Sequence, residues 1–238
     1  PVLSRFMLSE PWSAPTLLGL GLAFGLRHAL DADHLAAVAT IASGKRTVLQ
    51  SGIVGAVWGL GHTAALLVVG AVVLALQLQI PEPVAAWLEM GVAVMLVALG
   101  VRALLPLVHA GGHAHAHAHG DVVHVHPHRH GRGAGVNDHD DHRRPFAIGV
   151  VHGLAGSAAL LLLVVSATPS PWLGLAYILA FGAGSIGGMV AMSALVGLPA
   201  ALTAERFRGA HTAVRGAAAV LSIGVGAALG WEVWSGLA

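Results

Sequence analysis

The sequence predicts an all-α, polytopic membrane protein of six transmembrane helices arranged as two inverted three-helix repeats. Three observations predict it. The chain of 238 residues is 56% hydrophobic and only 10% charged, with a mean hydropathy of +0.77. Soluble domains carry roughly 25% charged residues, and so few charges cannot cover a water-facing exterior. The apolar residues fall in long continuous runs, and a polar motif in the first half recurs in the second.

Spanning helices need about 20 mostly apolar residues. Six segments qualify in order: Pro15–Ile41, Gly52–Leu78, Val84–Val108, Phe146–Ala167, Trp172–Leu195 and Val214–Trp234. Short breaks end most of them, at Ser43-Gly44-Lys45-Arg46, Pro81-Glu82-Pro83 and Thr168-Pro169-Ser170-Pro171. A β-barrel would need alternating strands of about ten residues, which these unbroken runs are not. A cleavable signal peptide is not expected, because His28, Asp31, Asp33 and His34 interrupt the first apolar stretch.

The repeat is read from register. Ala23, Gly25, His28 and Leu30 return as Ala147, Gly149, His152 and Leu154, and Trp58-Gly59-Leu60-Gly61 returns as Phe181-Gly182-Ala183-Gly184. Residues 1–108 then form the first repeat, 109–144 a His-rich loop that is disordered or ordered by metal, and 145–238 the second repeat. Three helices per repeat force the second copy to insert upside down. Such folds place transport sites near the midplane, often at interrupted helices.

Lys45, Arg46, Arg102, Arg129, Arg132, Arg143, Arg144, Arg206, Arg208 and Arg215 fall on one side of this topology. The positive-inside rule makes that side cytoplasmic and puts both termini outside a cell inner (plasma) membrane. Nucleic acid is not an expected partner; the lipid bilayer is. The chain has no cysteine, so a metal site must use nitrogen and oxygen ligands. No Gly-x-x-x-x-Gly-Lys-Ser/Thr loop is present for ATP, and no cofactor is expected.

The chemistry concentrates in Arg27-His28-Ala29-Leu30-Asp31-Ala32-Asp33-His34, near the middle of the first span. One Asp at a helix centre costs about 2.5–3.5 kcal/mol on insertion scales, so a compensating partner is required. On a regular helix His28, Asp31 and His34 form one stripe; Asp33 joins it only if the helix is locally unwound. Imidazoles with a charge-cancelling carboxylate suit Ni²⁺, Co²⁺ or Zn²⁺ better than Ca²⁺ or Mg²⁺. An Arg27 ion pair with Asp31 or Asp33, and a metal-free proton relay, are the competing readings. His62, in Gly61-His62-Thr63, lies mid-way along the second span, flanked by Gly59 and Gly61, small residues that allow close helix approach. His152 is a weaker candidate, since Ala155 and Ser157 stand where the first copy has its acids. Met95, Met189 and Met192 are read as packing.

Eleven of the sixteen histidines fall between His109 and His142. His113, His115, His117 and His119 alternate with alanine, and His124, His126, His128 and His130 follow. This composition reads as an accessory metal buffer or sensor, with no single imidazole essential.

At His28–His34 the sequence resembles the nickel/cobalt transporter (NiCoT/NicO) family, whose signature is a His, four residues, then Asp-His in a transmembrane helix. Gly61-His62-Thr63 looks like that family's second signature, and Val151–Ala158 looks like its short branch of urease-associated permeases. The resemblance implies a secondary permease for Ni²⁺ or Co²⁺ as transported substrate, with His28, Asp33 and His34 as signature residues, Asp31 within the motif and His62 in the second element. It also implies a metallochaperone or urease maturation protein as downstream partner. Uptake is favoured, because two charges moving inward gain about 4.6 kcal/mol per 100 mV. The His-rich loop, a trait of efflux members, keeps export as the alternative. An intramembrane metal-dependent enzyme and a metal sensor are alternatives of another class.

Overall fold

The computed structural model describes residues 13–45, 47–76, 81–108, 113–119, 122–128, 142–155, 170–204 and 208–237. Apart from one two-stranded ribbon it is an all-α polytopic membrane protein. Helices α1 (Ala14–His28), α2 (Ala32–Ala42), α3 (Val48–Leu76) and α4 (Glu82–Val108) form the first half, and α5 (Arg143–Ala155), α6 (Pro171–Ala204) and α7 (Arg208–Leu237) the second. Between α4 and α5 lies an antiparallel ribbon of β1 (His113–His119) and β2 (Val122–His128), which pairs His113 with His128, His115 with His126 and His117 with His124. Within each helix the main-chain polar groups bond one another along the rod, which the bilayer core demands.

Among the described residues four helices, α3, α4, α6 and α7, are long and apolar enough to cross a membrane. The first span differs from expectation. It is two helices of 15 and 11 residues, not one continuous rod. At about 1.5 Å per residue neither alone crosses a hydrocarbon core of about 30 Å. Ser13 starts α1, its hydroxyl accepting from the Thr16 amide at 3.4 Å, with Pro15 in the first turn. After His28 the chain tightens, with Leu30 N donating to Arg27 O and Asp31 N to His28 O. Asp31 is then extended (φ −63°, ψ 148°) before α2 begins. No proline or glycine forces this break. It coincides with the polar motif, whose side chains hydrogen-bond one another instead of continuing the apolar face. The expected fourth span, Phe146–Ala167, begins as α5, and its remainder lies outside the described residues.

Glycine sets the helix spacing. A Cβ at Gly25 would strike the Phe181 carbonyl and the Ser185 amide of α6; one at Gly149 would strike the Trp58 carbonyl and the His62 amide of α3. Gly184 meets Leu22 and Leu26, while Gly61 meets Phe146 and Val150. The contacts that join α1 to α6 therefore recur, position by position, between α5 and α3. Where α3 crosses α6, Gly59 meets Ile186 and Gly182 meets Thr63. Numbers rise on one helix as they fall on the other, so α3 and α6 run antiparallel. The same holds for α4 and α7, where Gly100 meets Ala219 and Gly226 meets Ala93.

Packing between these helices uses small side chains and hydroxyls, as expected where lipid removes the hydrophobic drive to associate. Ala29, Ala36, Ala37, Ala42, Trp58, Leu96 and Met189 form the main buried cluster. Thr40 donates to Ala218 O at 3.1 Å, tying α2 to α7, and Ser222 donates to Leu96 O at 2.8 Å, tying α7 to α4. Met189 packs in this cluster, as a structural methionine should. Trp87, Trp172, Trp231 and Trp234 are exposed near helix ends, where indoles anchor at the lipid headgroups.

Candidate metal centre

Four imidazoles from four helices converge beside the break in the first span. α1 ends on His28, the first turn of α2 carries Asp33 and His34, α3 brings His62 and α5 brings His152. His34, His62 and His152 have no solvent exposure at all. The ring of His34 is central, with centroids 4.3 Å from His28, 5.4 Å from His62 and 4.1 Å from His152. His28 and His62 are 5.3 Å apart.

The break makes this convergence possible. On an unbroken helix Asp33 would turn away from the His28–His34 stripe; here the extended Asp31 resets the phase and Asp33 joins the cluster. Asp31 instead lies at the rim, its side chain 54% exposed. Asp31 Oδ2 is 2.8 Å from His28 Nδ1, and Asp33 Oδ1 is 3.1 Å from His34 Nδ1. Asp33 Oδ2 is 2.9 Å from His152 Nε2. The single Asp33 carboxylate thus serves an imidazole from each half of the chain. The acids missing from the second copy of the motif are supplied by the first.

These contacts fix tautomers. A carboxylate only accepts, so the facing ring nitrogen carries the proton and donates. The other nitrogen of each ring is left with its lone pair, which is the arrangement of a metal-binding imidazole held from behind by a carboxylate. Five buried ring nitrogens have no hydrogen-bond partner: His28 Nε2, His34 Nε2, His152 Nδ1 and both nitrogens of His62. Orphaned buried polar atoms cost about 1–3 kcal/mol each, so one cluster holding five is a strained arrangement unless something binds there. Among the described residues two sets of ligand atoms lie within 4.8 Å of one another, His28–His34–His62 and Asp33–His34–His152. A soft-to-borderline dication fits the donor set, which is rich in nitrogen and poor in oxygen.

Arg27 is exposed, and among the described residues Asp31 and Asp33 pair with imidazoles and not with it. Sequence reasoning passed over two walls of the site. Phe181 lies 5.4 Å from the His28 ring, and Trp58 lies 5.5 Å from the His152 ring. The signal was present, since Trp58 and Phe181 open the second repeated motif. Of the loop histidines, the ribbon carries His113, His115, His117, His119, His124, His126 and His128, while His130 falls outside the described residues.

No family model matches the chain, and no solved structure matches it. Among curated proteins it is 36% identical over 203 residues to the urease accessory protein UreH of Bacillus sp. (strain TB-90), covering 81% of each chain. It is also 26% and 27% identical to the Arabidopsis thaliana chloroplast proteins FOR GROWTH AND FERTILITY 2 and 1. Those matches take in 88% and 83% of this chain but only 54% of either plant protein. The likeness to UreH falls in the urease-associated branch that the motif at Val151–Ala158 resembles, and the chain belongs to the UreH family of urease accessory proteins.

Proposed function

We propose that this protein is a secondary permease that carries Ni²⁺, or Co²⁺, across a cell inner membrane through the buried His/Asp cluster, and that it works in uptake. The observation that carries this reading is the set of unpartnered imidazole nitrogens at the break in the first span. His28, His34 and His62 are the three nitrogen ligands of the resting ion. Asp31 and Asp33 hold His28 and His34 from behind, and His152 shares Asp33. Membership of a urease accessory family supports nickel as cargo, because urease is a nickel enzyme in need of metal delivery. A cytoplasmic metallochaperone or urease maturation protein is then the natural recipient. The role is a transporter's and not an enzyme's.

The two halves are inverted repeats in this reading. Support comes from the matched glycine contacts of α1 on α6 and α5 on α3, together with the antiparallel crossing of the equivalent helices α3 and α6. The broken first span and its counterpart, which begins with α5, rock against α3 and α6 and expose the cluster to each side in turn. Loop basic residues put the ribbon segment in the cytoplasm and both termini outside. The ribbon histidines collect or buffer metal and are accessory.

Purified protein in liposomes tests the proposal. Radiolabelled nickel enters against no gradient when the interior is negative, and His34→Ala, which removes the imidazole common to both ligand sets, reduces flux more than 100-fold. Wild-type liposomes that accumulate no more nickel than empty ones overturn it. The sign of accumulation in whole cells decides between uptake and export.

A further inference from the structure

A cavity of about 660 Å³ lies between the first turns of α4 and the last turns of α7, and it ends on Asp33. Among the described residues its charged lining is Glu82 and Glu89 of α4, Glu232 of α7 and Asp33 of α2, with no basic residue. Glu82 and Glu232 are exposed, while Glu89 and Asp33 are half-buried, so the carboxylates descend from solvent toward the cluster. Among the described residues none of the three glutamates pairs with a basic side chain. Carboxylates alone would mean little. The floor gives them direction: Asp33 accepts hydrogen bonds from His34 and His152, both wholly buried, and each of those rings holds one nitrogen with no partner.

We propose that this cavity is the vestibule through which the divalent cation reaches the histidine cluster, with Glu82, Glu232 and Glu89 attracting it and Asp33 receiving it. The inference rests on the permease reading and adds its route. An ion leaving Glu89 reaches Asp33 first, and His34, the imidazole common to both ligand sets, links that carboxylate to His28 and His62. A cleft of one charge sign between apolar walls concentrates counter-ions and raises their capture rate by about 10- to 1,000-fold, an effect that salt weakens. The vestibule opens where α4 begins and α7 ends, the side that the loop charges assign to the exterior, as uptake requires.

The test uses the full chain in liposomes, with Glu82→Gln, Glu89→Gln, Glu232→Gln and the triple variant. The triple variant should raise the half-saturating nickel concentration for flux at least tenfold and lose the wild type's decline with ionic strength. Equilibrium dialysis with nickel on the same preparations should still find the ion bound at the cluster. A triple variant with wild-type half-saturation and salt dependence overturns the vestibule alone. A wild type that binds no nickel overturns the metal centre and the vestibule together. Because the chain has no cysteine, Ala86→Cys supplies a readout that needs no transport. A cationic thiol reagent should label it faster than an anionic one, nickel should slow the labelling, and neutralising the glutamates should abolish the preference. Equal labelling by both reagents in the unneutralised background overturns the proposal.

Discussion

The two copies of the repeated motif do different work with the same histidine. In the first copy His28 is followed by Asp31, Asp33 and His34, and the helix breaks there. In the second, His152 is followed by glycine, leucine and alanine, and α5 continues through it to Ala155. Both copies pack the same way: Gly25 beneath Phe181 and Ser185, Gly149 beneath Trp58 and His62. What differs is the supply of carboxylates. The acid-bearing copy orients its own imidazoles and, through Asp33, that of the other half as well. The packing is the same at both copies of the motif, and the chemistry is one-sided.

Asp33 is therefore where the comparison breaks most visibly. Asp33→Asn should weaken nickel binding by about 10- to 100-fold, the usual cost of losing an orienting partner behind a metal-binding histidine. An asparagine can accept from one imidazole, but its NH₂ faces the other with nothing to accept. Isothermal titration with nickel checks this, and a binding constant within twofold of wild type would show that the shared carboxylate orients nothing. His152→Ala should cost less than His34→Ala, since His152 belongs to one ligand set and His34 to both. The same titration ranks them, and a reversed order would make the second copy the principal one.

Packing should respond to substitution equally in both halves. Gly25→Val and Gly149→Val each press a branched side chain into the backbone of a neighbouring helix, which can give only by moving away. Overpacking of this kind costs about 1–3 kcal/mol. Thermal unfolding in detergent should show losses of similar size for the two variants. A loss at Gly25 alone would mean that the second copy is not held as the first is.

Much of this is legible in the amino-acid sequence itself. The membrane class followed from how few charges there are, and a close helix approach beside His62 from Gly59 and Gly61; the contacts at Gly25, Gly149 and Gly184 show only in the packed helices. His28, His34 and His62 were legible as partners because polar groups in lipid need a reason to be there. The break after His28 was not legible. No Gly or Pro marks it, and an unbroken helix predicts a stripe that includes Asp31 and omits Asp33. The actual arrangement depends on side chains bonding across the break and across helices, which local propensity does not encode. His152 was underweighted for the same reason: its carboxylate is 119 residues away in sequence. The acidic cavity was equally hidden, because Glu82 and Glu232 meet only once α4 and α7 pack antiparallel.

The smallest expected effect separates the two acids of the first motif. Asp31 and Asp33 are two residues apart and look equivalent on paper. Asp31 is 54% exposed and holds one imidazole, whereas Asp33 is 22% exposed and holds two. Water competes for an exposed carboxylate, and an exposed charge pair contributes little. Asn at position 31 keeps a carbonyl oxygen that can accept from His28 Nδ1, so the ring keeps its orientation and its free Nε2. Asp31→Asn should therefore weaken nickel binding by no more than about threefold, from loss of a screened charge alone. If it matched Asp33→Asn in the titration, the ion would be contacting Asp31 directly and the helix would have to close over it on binding.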